Sequence, residues 1–355
     1  MIETLEALIE RVVKENDRKH DVLADTRRMS VEVVHEEGIS PSVDLMVDGE
    51  DGIETFAPSE HMLGQMATDL SIPKRYFDRM KVDAPDLFQR NVHHWLYEEP
   101  KRRMLRSWTV DDTSFNGRAW LSDRYRRLDN IEIATKLLPE FERMPTEVSF
   151  HNASVSDERF YLRAVFPRME KEVKVGEAVQ WGVQIKNSEV GAASFAIESF
   201  LLVLACKNGM VVSKVMNARH LGKRLDDILS DEAVEADDHA FWLAARDTLR
   251  ASLDEAAFQS VVDTLRESTE GEKITSPIAA SKRLASTFSL SDEEHEAVLL
   301  NLANGGDMSR WGALNAVTAT AHTVKSFDRG VELEEAGWAL AEMPRRDWER
   351  IAVAA

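Results

Sequence analysis

The residues of this chain best suited to chemistry are arginines. Between Lys101 and Arg127 stand eight basic residues against three acids, a local surplus of five on a chain whose formal net charge is −19. Arg102, Arg103, Arg106, Arg118, Arg124, Arg126 and Arg127 are interleaved with Trp108, Trp120 and Tyr125. A guanidinium can hold two phosphate oxygens at once, and an aromatic ring stacks on an unpaired base. Together these side chains fit a groove for single-stranded nucleic acid. The competing reading is a surface hairpin whose tryptophans pack inward and whose arginines pair with the chain's many carboxylates.

Two further groups are candidates to join that groove; the second, basic one extends it only if the fold brings the two together, and otherwise decorates a surface strand and loop. Lys186-Asn187-Ser188-Glu189-Val190-Gly191 follows a strand-like segment, and small polar residues ahead of a glycine can turn backbone N–H groups toward a phosphate. The spacing is not that of a Walker loop or a dinucleotide fingerprint. An ordinary turn, in which Asn187 and Ser188 satisfy nearby backbone groups, explains the same residues. Lys214, Arg219, His220, Lys223 and Arg224 form a second basic group, followed by seven acids and no base from Asp226 to Asp238. Opposite charges tethered on one chain meet at high effective concentration. The acidic run is therefore expected to compete with DNA for the basic surface, or to dock a partner.

Other chemistry finds less support. His93 and His94 are adjacent, so on a helix or strand they diverge. His20, His35, His61 and His151 are scattered, and the acidic run lacks the spacing of a calcium loop. No Gly-x-Ser-x-Gly elbow is present. The single cysteine, Cys206, excludes an internal disulfide framework and a cysteine-based zinc site, and reads as a buried structural thiol. No catalytic residue, metal or cofactor is assigned, and whether the chain is an enzyme stays open.

These groups must be positioned by an α+β fold: an antiparallel sheet with helices on one face, followed by an acidic helical C-terminal region. The expected division is an N-terminal helix over 1–27, an α+β core over 28–224 and a helical region over 225–355. Met104–Val110 and Gly117–Leu121 read as a hairpin. Ser59 and Ser291 open helices, a helix over Asn130–Leu138 stops at Pro139, and a strand over Phe160–Phe166 gives way to a charged loop through Glu170. The organising stretch, Trp181–Gly222, reads as a strand, the Lys-Asn-Ser loop, a buried segment, an Asn208-Gly209 turn and a second strand. No apolar run reaches the roughly 18 residues of a membrane span. The N-terminus has no basic segment ahead of an apolar one, so the cytoplasm is the expected compartment.

Several segments carry a resemblance: GRAWLSDRYRRLDN (Gly117–Asn130), GVQIKNSEVG (Gly182–Gly191), CKNGM (Cys206–Met210), RHLG (Arg219–Gly222) and WGALNAVTATA (Trp311–Ala321). In this order they resemble a phage- and plasmid-related family of unknown function, over roughly residues 55–340. The resemblance implies a mobile-element setting: replication, recombination, repair or anti-host defence. The expected function is nucleic-acid binding, with single-stranded DNA as the partner and annealing as the activity, in a homo-oligomer. The alternative is a protein-interaction module whose acidic surface mimics DNA and engages a host or phage protein.

Overall fold

The computed structural model describes residues 4–35, 38, 40–49, 52–218 and 231–353, leaving out the side chains of 213, 214, 231 and 234. It contains two sheets. The N-terminal helix α1 (Leu5–Asp17) buries Leu8 and Val12 on one stripe and is capped by the Thr4 hydroxyl. The chain then turns into strand β1 (Lys19–Asp25), where continued helix was expected. A short 3₁₀ turn (Thr26–Arg28) leads to β2 (Met29–Val34), β3 (Ser42–Asp48) and β4 (Ile53–Pro58). Helices α2 (Glu60–Asp69), α3 (Lys74–Asp83) and α4 (Pro85–Glu98) follow, and then the expected hairpin, β5 (Arg102–Thr109) and β6 (Ser114–Ser122). These strands form a six-stranded sheet in the order β1-β5-β6-β4-β3-β2, mixed because β4 and β6 run parallel. Its core joins Leu45, Phe56, Leu105 and Trp120 to Met62, Met66, Phe77 and Phe88 of the helices.

The next helix does not stop at Pro139. It begins as α5 (Asn130–Glu132), widens into a π-helical turn over Ile133–Leu137 and resumes as α6 (Leu138–Glu142). Pro139 lies in the first turn of α6, where its missing N–H does no harm. Strands β7 (Ser149–Val155), β8 (Phe160–Lys174), β9 (Glu177–Asn187), β10 (Phe195–Val203) and β11 (Asn208–Ala218) form an antiparallel five-stranded sheet. The expected charged loop through Glu170 is instead a continuation of β8, paired with β9 as far as Lys174↔Glu177.

The C-terminal helices are α7 (Asp231–Ala251), α8 (Glu255–Thr269), α9 (Pro277–Phe288), α10 (Asp292–Gly305), α11 (Arg310–Thr320), α12 (Phe327–Ala341) and α13 (Arg345–Ala352). They share one apolar core with the five-stranded sheet and α1, including Leu8, Trp181, Ile197, Phe258, Trp311 and Leu333. Val331 of α12 packs in a smaller cluster with Tyr161, Val165, Phe200 and Val211 on the other face of the sheet, with Phe327 against it. The expected single antiparallel sheet is therefore two sheets, and the second has helices on both faces. Among the described residues no helix is long and apolar enough to cross a membrane.

Candidate functional site

Two of the quoted segments, remote in sequence, meet where the two sheets join. Arg106 projects from β5 into a site where it has no exposed surface. Its Nε donates to Asp21 Oδ1 at 3.1 Å, Nη1 to the Glu189 carbonyl at 3.0 Å, and Nη2 to Asp129 Oδ1 at 2.8 Å. Arg118 donates from Nη1 to Glu189 Oε2 at 3.0 Å. Glu189 Oε1 accepts from Lys19 Nζ at 2.7 Å and from the Asn130 backbone at 2.8 Å. Three cations face three carboxylates, which compensates the desolvation of each. Burial alone would push the Glu189 carboxyl up, but Lys19, Arg106 and Arg118 outweigh it and hold it down at about 2. Burial likewise works against the Arg106 charge, yet Asp129, Asp21 and Glu189 leave its pKa raised.

The Lys-Asn-Ser loop is part of the same junction. Asn187 Nδ2 donates to the Leu128 carbonyl and to Asn130 Oδ1. The Ser188 hydroxyl donates to the Glu158 carbonyl at 2.6 Å and accepts from the Ala192 and Val190 backbone N–H groups. Gly191 closes the loop at φ 77°, a left-handed conformation natural to glycine. Asn187 and Ser188 have no exposed surface, so both sit inside the protein and not on an open phosphate cradle. Lys186 lies outside this network, half-buried, with its Nζ 5.8 Å from the Tyr161 ring centre.

The remaining predicted residues divide by location. Trp120 is buried, and its indole donates to Asp69 Oδ2, which Arg103 Nε also reaches at 2.8 Å. Trp108 is held between two guanidiniums, Arg18 at 4.2 Å and Arg118 at 4.1 Å from its ring centre. Neither indole presents a free face for a base. The Tyr125 hydroxyl donates to the Ser188 carbonyl at 3.0 Å, and burial pushes its pKa up. Arg102, Arg124 and Arg127 are exposed, Arg127 with its Nη1 3.9 Å from Asp21. Arg126 reaches across to α7: Nε donates to Asp238 Oδ1 at 2.7 Å, and Nη2 lies 3.0 Å from Asp237 Oδ2. The Phe241 ring lies beneath the guanidinium, 4.8 Å away. Arg219, His220, Lys223 and Arg224 lie outside the described residues, as does the side chain of Lys214.

Two basic residues absent from the sequence reading join the exposed group. Pairing of β1 with β5 sets Asp25 opposite Arg102, and the Thr26 backbone N–H donates to the Lys101 carbonyl. Arg27 and Arg28 therefore sit, exposed, at the same end of the hairpin as Arg102, with Asp25, Glu98 and Glu99 as neighbouring acids. Only this non-local pairing links them, so no local pattern could have marked them.

A second pair of quoted segments also meets. Asn208 of CKNGM donates from Nδ2 to the Asn315 carbonyl of WGALNAVTATA at 3.2 Å, and its Oδ1 lies 3.0 Å from His322 Nε2. The chain reversal sits one step earlier than expected, over 204–207, with Lys207 at φ 57°. Cys206 is exposed on it, not buried. His93 accepts the Val31 N–H at 2.8 Å while His94 lies edge-on to Trp95. Among the described residues no group of three or more His, Cys, Asp or Glu side chains gathers as a metal site. Family models, curated proteins and solved structures return no match to this chain.

Proposed function

We propose that the protein binds single-stranded nucleic acid through the arginines of the Ser122–Asn130 segment, in a state controlled by its own acidic helix α7. The observation that carries this reading is the contact of Arg126 with Asp237 and Asp238. Two adjacent carboxylates engage the guanidinium from the side where two phosphate oxygens would bind. Arg124 and Arg127 flank it in sequence, and Arg27, Arg28 and Arg102 lie at the end of the hairpin that precedes it. With Trp108 and Trp120 committed elsewhere, affinity comes from phosphates and little from base stacking. Binding is then insensitive to sequence and steeply dependent on salt.

Equilibrium binding of a labelled single-stranded oligonucleotide across a salt series tests this. Each lost phosphate contact lowers the slope of log K against log salt by about 0.7. R124Q/R126Q/R127Q should therefore flatten it by about 2 and weaken binding. An unchanged slope in the folded triple variant contradicts the assignment. A second reading, an acidic protein-interaction module, is favoured by the internal pairing of Arg103, Arg106 and Arg118 on a chain of net charge −19. It predicts no oligonucleotide binding at any salt.

A further inference from the structure

A cleft of about 240 Å³ opens between α12, β8–β11 and the loop after Gly191, lined among others by Arg159, Tyr161, Lys186, Glu198, Asn217 and Asp328. One lining residue, Glu198, has no exposed surface. Glu198 Oε2 accepts from Gln184 Nε2 at 2.7 Å, and Oε1 has no hydrogen-bond partner. A buried carboxylate oxygen without a donor is costly, because it has lost water and gained nothing in its place. Arg159, another residue of the lining, has a buried Nε with no hydrogen-bond partner. The rest of the Arg159 guanidinium is engaged, with Asp328 at 3.0 Å and the Ala192 carbonyl at 3.4 Å. Lys186, above the Tyr161 ring, has no ion-pair partner among the described residues.

The residues lining the cleft thus include an acceptor that lacks a donor, a donor that lacks an acceptor and a lysine with no ion-pair partner among the described residues. We infer that it is a binding site for a small zwitterion of amino-acid size, whose ammonium donates to Glu198 Oε1 and whose carboxylate faces Lys186 and Arg159. The cleft has room for several waters, and so for a ligand of that size. None of Arg126, Asp237 and Asp238 lines this cleft, and the inference does not rest on nucleic-acid binding.

The test is thermal unfolding of the full chain with single free L-amino acids at millimolar concentration, beside n-butylamine and acetate as one-ended probes. A ligand that binds only the folded state raises Tm in a concentration-dependent way. At least one amino acid should raise Tm in the wild type, and neither one-ended probe should match it. E198Q should abolish the shift. K186M, at a half-buried side chain outside the apolar core, should reduce it at least severalfold. If no amino acid shifts Tm, the cleft is a water-filled polar cavity only and the inference falls. It falls equally if butylamine or acetate alone reproduces the shift, or if both variants respond like the wild type.

Discussion

Gly209 lies directly against the carboxylate of Glu334: a β-carbon at residue 209 would meet Glu334 Oε1 far inside contact distance, and Phe200 Cε2 at 2.8 Å. The glycine stands in the Asn-Gly pair that suggested a turn, yet that pair opens strand β11. What it permits is close approach of helix α12. There Glu334 receives both Nη atoms of Arg163, whose Nε donates to Gln184. Arg163 and Glu334 are both buried.

Gly209→Ala should therefore cost about 2–4 kcal/mol, because the new methyl displaces one partner of a buried pair. Chemical denaturation at neutral pH checks it. A loss below about 0.5 kcal/mol would mean that α12 shifts freely on the sheet.

Glu189 predicts a specific acid sensitivity. Its folded pKa of about 2 lies below the ordinary value of 4.5. The stabilisation is therefore fully present above about pH 4.5 and is lost as pH falls through the folded value near 2. Glu189→Gln should destabilise the protein by about 3–5 kcal/mol at pH 7, since it strands buried cations. It should also flatten the stability profile between pH 4.5 and 2, which denaturant melts at several pH values would reveal.

Cys206 should react in the native state. It is exposed on the turn before β11, and one thiol should be titrated by a disulfide reagent without denaturant. Partial burial raises its pKa, so the rate should still be climbing above the ordinary thiol range. No reaction until unfolding would contradict its placement.

The sequence made local elements legible and left their partners hidden. Ser59 and Ser291 cap α2 and α10 as their spacing implies, and Ser291 with Glu294 closes a capping box. The β5–β6 hairpin follows from alternation around a polar turn. Lys19–Asp25 was not legible as a strand, because its pairing partner β5 lies some eighty residues away. The arginines of β5 and β6 were readable as a charge surplus. Their fates were not, because Asp21, Asp69 and Glu189, which engage Arg106, Arg103 and Arg118, come from three distant segments. Contact between the basic segment and the acidic run was expected from charge alone, and Arg126 with Asp237 and Asp238 is its form.

That contact is where the proposed function is most directly tested, by fluorescence anisotropy of a labelled single-stranded oligonucleotide at low and high salt. Neutralising the latch with D237N/D238N should tighten binding about tenfold at low salt, equivalent to about 1.4 kcal/mol. The gain should shrink as salt screens the competition and vanish when Arg126→Gln is added. Unchanged or weaker binding by a folded D237N/D238N variant would contradict the account and leave the two carboxylates as structural partners of Arg126.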